Sequence, residues 1–250
     1  MLKKMNMLMV LVACPVWAMA EESSTSTFPG EVSGNIAVLS SYNLRGITNS
    51  PENNKATLQA GIEYSHSSGF YAGYWGSTLG YSLTNKNVQG EYTGRDSFEN
   101  DFSVGYKGEI NQDLSYQIGG IYYYYYESDA KSDFLETQLG LNYKDLSLSA
   151  LTATRNVNAA NTGDTYLLAS YSYELPKDFT ANIALGAYYY NKNKNLETKN
   201  SFDFRHLTLG VSHPLGNTGA SMNIDYIIGG YDRMEVKQKN KVALGLSYSF

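Results

Sequence analysis

Several things that most folds or chemistries need are scarce in this sequence. There is a single cysteine, Cys14, in 250 residues, so no disulfide closes within the chain and no cysteine metal or redox motif exists. The three histidines, His66, His206 and His213, stand at unrelated spacings and give no metal-ligand pattern. The apolar region from Met7 to Val12 is too short for a membrane-spanning helix and nothing downstream is longer, which excludes a helical membrane protein. Basic residues are outnumbered, 19 against 24 acidic, and that deficit argues against nucleic acid as a partner. No helical periodicity is present, so no glycine loop opens a helix to cradle a phosphate, and no cofactor is implied.

The amino terminus has the three parts of a secretory signal: Lys3 and Lys4, the apolar stretch Met7 to Val12, and the small-residue site Ala18-Met19-Ala20. Residues 1–20 are expected to be removed, leaving 21–32 as a periplasmic segment ahead of a barrel at 33–250. A rival reading takes Leu11-Val12-Ala13-Cys14 as a lipoprotein box with Cys14 acylated. Cleavage before Glu21 would discard the cysteine and two lysines, leaving 17 basic against the 24 acidic residues.

Side chains alternate in character with a period of two through most of the chain, the signature of strands with one apolar and one polar face. Twelve such segments are predicted, at about 33–47, 55–65, 69–82, 97–110, 114–127, 133–143, 146–156, 165–175, 179–191, 201–213, 218–230 and 240–250. Most exceed the soluble-strand average and match the roughly 9–11 residues of a tilted membrane strand. Tight connections such as Lys144-Asp145 alternate with longer polar ones such as Leu83 to Asp96, the arrangement of outer-membrane barrels whose short turns face the periplasm. In lipid an open sheet would leave backbone groups unpaired, so the twelve antiparallel strands are expected to close into a transmembrane β-barrel. The 23 tyrosines suit membrane boundaries and pore linings. A soluble β-sandwich would explain the alternation, but not strand length and connection pattern together. Two strands resist face assignment: the third, with aromatics on both parities, and the tenth, where Asp203 and Arg205 share parity with Leu207 and Leu209 and are expected above the membrane.

The last strand places Val242, Leu244, Leu246, Tyr248 and the terminal Phe250 on one face. It resembles the insertion signal read by the barrel assembly machinery, which implies outer-membrane lipid as the surroundings and Leu244, Leu246, Tyr248 and Phe250 as the signal. A second resemblance rests on Ser41-Tyr42-Asn43-Leu44-Arg45-Gly46-Ile47, on Gln59-Ala60-Gly61-Ile62-Glu63-Tyr64 and on His66-Ser67-Ser68-Gly69-Phe70-Tyr71-Ala72-Gly73-Tyr74-Trp75-Gly76-Ser77, followed by Glu99-Asn100-Asp101 and Gly105-Tyr106. These resemble the TorF-type, or Gcw-type, family of porin-like outer-membrane proteins of proteobacteria, in which the first motif forms the first strand. Leu44 and Thr48 are mild departures from that motif. The match covers about residues 34–110; beyond them only the architecture agrees.

With the apolar parity outward, the inward face carries the candidate pore lining. Arg45, Glu99, Asp101, Glu136 and Arg155 are expected near the outer mouth with Tyr123 and Tyr125, Glu63 and Lys107 nearer the periplasm, and Asp225 at mid-height. This acid-leaning set favours cations or neutral solutes over anions, although buried charges that merely pair across the lumen would produce the same pattern. Inward glycines either leave room for water or relieve curvature. The expected function is passive diffusion of small hydrophilic solutes or ions, with the Leu83 to Asp96 loop as a lid. A non-conducting structural or adhesive barrel that binds a partner through its loops is the alternative. A hydrolase is the minor one: His66-Ser67-Ser68-Gly69 resembles a stretch of outer-membrane phospholipase but sits at a predicted periplasmic turn, and no base and orienting group are evident beside it.

Overall fold

The computed structural model describes residues 29–49, 51, 53–83, 85–86, 92–93, 95–128, 132–192 and 195–250. The predicted signal peptide and half of the Leu83 to Asp96 loop lie outside them. Twelve antiparallel strands form one closed barrel: β1 (Gly30–Leu39), β2 (Thr57–His66), β3 (Phe70–Thr78), β4 (Phe98–Asn111), β5 (Leu114–Tyr126), β6 (Phe134–Tyr143), β7 (Leu146–Ala153), β8 (Thr165–Glu174), β9 (Thr180–Tyr189), β10 (Phe202–Pro214), β11 (Ala220–Gly229) and β12 (Lys241–Ser249). Each strand pairs with its sequence neighbours, and β1 closes on β12 from Asn35↔Ser249 to Leu39↔Gly245. Phe250 extends that seam, its amide and carbonyl bonded to the backbone of Gly34 at 3.0 and 2.9 Å. Closure leaves no strand edge unpaired, which lipid would penalise by several kcal/mol per group.

Alternation decides which side chains meet the surroundings. Ile183 and Leu185 on β9, Ile224 and Tyr226 on β11, and Leu244, Leu246, Tyr248 and Phe250 at the seam are all exposed, Leu244 at 52% and Phe250 at 56%. Their neighbours Asn182, Ala184, Asp225 and Ala243 are buried inside. An apolar belt around a polar-bearing interior is the reverse of a soluble domain and fits a barrel whose solvent is lipid.

Two details differ from the expectation and one open face assignment is settled. The strand β1 begins at Gly30, inside the segment assigned to the periplasm, and ends at Leu39, eight residues before the predicted end. The connection from β1 to β2 (L1) instead leaves the wall, and its described residues 40–49 turn into the lumen. On β3 the ambiguity resolves with Tyr71 and Trp75 inward and Phe70 outward. On β10 a β-bulge reconciles the charges: Gly186 faces His206 and Ala187 faces Phe204, so Arg205 is the extra residue. A bulge inserts one residue and resets parity, so Asp203 and Arg205 are buried inside the barrel.

All the short connections, such as 144–145, lie at one end; the described parts of L1 and of the connections 79–97, 127–133, 154–164 (L4), 190–201 (L5) and 230–240 (L6) lie at the other.

Candidate functional site

The site lies where L1 enters the barrel. At its tip a one-turn 3-10 element, Leu44–Gly46, carries Arg45 at φ 47° and Gly46 at φ 72°. A left-handed arginine costs about 1–2 kcal/mol, so the surrounding contacts must hold it. Gly46 has no alternative: a Cβ there would lie 2.6 Å from the Cβ of His206 on β10. Glycine therefore serves both the turn and the close approach of the loop to the wall.

Arg45 is 4% exposed and reaches across the lumen. Its guanidinium donates to both oxygens of Glu136 on β6 (2.8 and 2.5 Å), to the hydroxyl of Tyr188 on β9 (2.7 Å) and to that of Tyr123 on β5 (3.0 Å). The Tyr166 ring lies 5.1 Å from its Cζ. The fork matches a carboxylate bidentately, which fixes orientation as well as charge. From β10, Arg205 Nε donates to the Arg45 carbonyl at 3.1 Å. The rest of the loop is tied to L6 through Thr48 N to Gln238 Oε1 (3.1 Å) and Asn49 Nδ2 to the Lys237 carbonyl (3.0 Å). Loops L4 and L6 are joined in turn by the Arg233–Asp164 pair at 2.5 Å.

Beside the tip, the Glu99 carboxylate on β4 is fully buried and accepts from the hydroxyls of Tyr42 in L1 and Tyr125 on β5. Burial first, then the Glu99 charge, holds the Tyr42 hydroxyl well above its ordinary range, so it remains a donor. Asp101, 6% exposed, lies two residues further along the same face, and its Oδ1 has no hydrogen-bond partner. Toward the short-turn end, Lys107 pairs with Glu63 and lies over the Tyr71 ring at 4.6 Å.

The structure thus brings Arg45, Glu99, Asp101, Tyr123, Tyr125 and Glu136 together at one level, Glu63 with Lys107 at another, and Asp225 in the opposite wall. It does not bring Arg155 in. That residue follows the end of β7, is exposed, and donates to the Asp133 carbonyl at 2.5 Å. Arg45 itself belongs to a loop and not to a strand, so the motif assigned to the first strand is the inward plug.

At two of the inward glycines the space goes to a neighbour's side chain. A Cβ on Gly119 would lie 2.4 Å from the Tyr71 hydroxyl, and one on Gly210 would lie 2.2 Å from Asp225 Oδ1. They make room for large inward side chains on neighbouring strands. Part of the lumen is packed outright, by a cluster that includes Ile121, Phe134, Leu151, Tyr166 and Leu168. Alternation cannot reveal that, because an inward leucine breaks the polar pattern only locally. At the hydrolase candidate, His66 Nδ1 and Ser68 Oγ are 2.6 Å apart within an exposed turn, and no carboxylate holds the ring there among the described residues.

A closed twelve-stranded barrel with a charged interior and an apolar belt has the architecture of porin-type barrels. The chain belongs to the family described as "Bacterial protein of unknown function (Gcw_chp)", whose model matches residues 22–245. Among solved structures it is similar to the KdgM porin (TM-score 0.53, 12% identity, covering 87% of this chain and 99% of that one). It is similar also to the NanC porin (TM-score 0.51, 10% identity, 87% and 99%). A further KdgM structure, in complex with disordered oligogalacturonate, gives a TM-score of 0.51 at 11% identity over 88% of this chain and 98% of that one. At such identities the likeness establishes the fold. Comparison with curated proteins finds no match.

Proposed function

We propose that the protein is an outer-membrane channel, exported by a cleaved signal and inserted through its last strand by the assembly machinery, that passes small hydrophilic solutes or ions. The observation that carries this reading is a sealed barrel whose belt suits lipid while its interior holds carboxylates, guanidinium groups and hydroxyls. No residue in it does covalent chemistry. Of the buried carboxylates, Glu99, Asp101, Asp203 and Asp225 have no basic partner within 4.0 Å among the described residues. An excess of fixed negative charge in a narrow path attracts cations and repels anions, so cations or neutral solutes are preferred. One KdgM structure holds an oligogalacturonate; the acid-leaning lumen here makes such a polyanion a poor solute for this chain. In planar bilayers Glu99→Lys with Asp101→Lys shifts the reversal potential toward anions. Unchanged selectivity removes those two residues from the path.

The inward L1 and the packed upper lumen favour a second reading, a barrel that conducts nothing and binds a partner through loops L4 to L6. It predicts an electrically silent protein.

A further inference from the structure

Beneath the tip of L1, on the wall opposite Glu136, lies a cavity of about 30 Å³. That volume holds about two waters, or an ion with one water. Apolar residues such as Leu39 and Ile227 share its lining with oxygen-bearing side chains: Asp225 and Asn223 on β11, Gln59 on β2, Thr208 on β10, and Ser41 and Asn43 of the loop. We infer that it is a site for a monovalent alkali cation, bound between the loop and the barrel wall.

Three observations converge. The Asp225 carboxylate is 9% exposed and has no basic group within 4.0 Å among the described residues; its one hydrogen bond comes from Asn223 Nδ2, at 2.5 Å to Oδ2. A buried, uncompensated carboxylate costs several kcal/mol, and a cation in the adjoining space removes that cost. Separately, the Oδ1 of Asn43 is buried and accepts no hydrogen bond, leaving an acceptor on the loop side of the same cavity. The His206 and Asn43 donors that would compete with an ion are already engaged. The His206 ring nitrogens are bonded to Tyr166 (2.7 Å) and Thr208 (3.2 Å), and Asn43 Nδ2 donates to the carbonyl and hydroxyl of Ser41.

The class of ion follows from charge and ligand type. A single carboxylate among neutral amide and hydroxyl oxygens balances one positive charge, whereas calcium takes six to eight oxygens, usually with several carboxylates. No group of three or more acidic, histidine or cysteine residues suited to a metal occurs among the described residues, which sets the transition metals aside. Because Asn43 and Gly46 also line the space, the ion bridges loop and wall.

The test uses the full refolded barrel in detergent, with sodium as the probe and N-methyl-D-glucamine, too large for the cavity, holding ionic strength constant. Saturable broadening of the sodium-23 resonance, reversed by potassium, is expected for the wild type. Asp225→Asn should weaken sodium at least about tenfold, while Asp113→Asn, an exposed turn carboxylate, leaves it unchanged. If Asp225→Asn does not refold, Asn43→Ala, on the loop side, is read in its place and should also weaken sodium. Broadening that does not saturate in the wild type, or affinity equal to wild type in the refolded variant, overturns the site. Binding is measured without current, so a silent barrel that binds sodium refutes the channel and keeps the site; a conducting barrel that does not bind it does the reverse.

Discussion

The bond between Arg45 and Glu136 is the natural place to perturb the plug. Glu136→Gln keeps the shape of the side chain and removes the charge that the guanidinium faces. Both groups are nearly inaccessible, 5% and 2% for the side chains, so solvent screens little of the interaction. Breaking a buried pair by altering one partner costs about 3–5 kcal/mol. Glu99 and Asp101 stand close by and compensate in part, which points to the lower end, about 3 kcal/mol. Since about 1.4 kcal/mol is tenfold, the balance between seated and withdrawn tip shifts by roughly a hundredfold. The belt and strand pairing are untouched, so the barrel still forms, as checked by its anomalous migration on an unboiled denaturing gel. The assay is open probability in planar bilayers, for Glu136→Gln beside Arg45→Ala. Both should open more often than wild type and resemble each other. Two folded variants with wild-type traces would refute the idea that this pair seats the plug.

Gly46→Val adds a side chain where φ is positive and the His206 Cβ would lie within 2.6 Å of the new Cβ, and should raise mean conductance by displacing the tip. Leu185→Arg puts a charge on the lipid face of β9, where Leu185 is 48% exposed. It should cost about 2–4 kcal/mol near mid-membrane, read as a lower folded fraction in vesicles by the same gel.

Much of the fold was legible because alternation, strand length and the two kinds of connection point to one architecture. Where legibility failed, the reasons are physical. The stretch from Ser40 to Ile47 keeps a two-residue rhythm in its sequence, but its burial does not alternate, and a 3-10 turn at Leu44–Gly46 takes it off the wall. Only the adjacency of Arg45 and Gly46, a pair suited to a tight turn, hinted that the chain leaves the wall. The bulge at Arg205 hid the face of β10, since one inserted residue exchanges inside for outside. Tyr71 and Trp75 blurred β3 because the lumen itself accepts large aromatics, given glycines opposite them. Level by level, the grouping of Glu99, Asp101 and Glu136 followed from strand register alone. The guanidinium that pairs with Glu136 did not, because Arg45 arrives from a loop. Arg155 was assigned inward by extending β7 three residues past its end at Ala153.

The most direct test is single-channel recording of the purified, unmodified barrel. The account predicts discrete steps of small conductance that prefer cations over anions. Complete electrical silence from protein that migrates as a folded barrel would contradict it and leave the loop-binding barrel as the surviving reading.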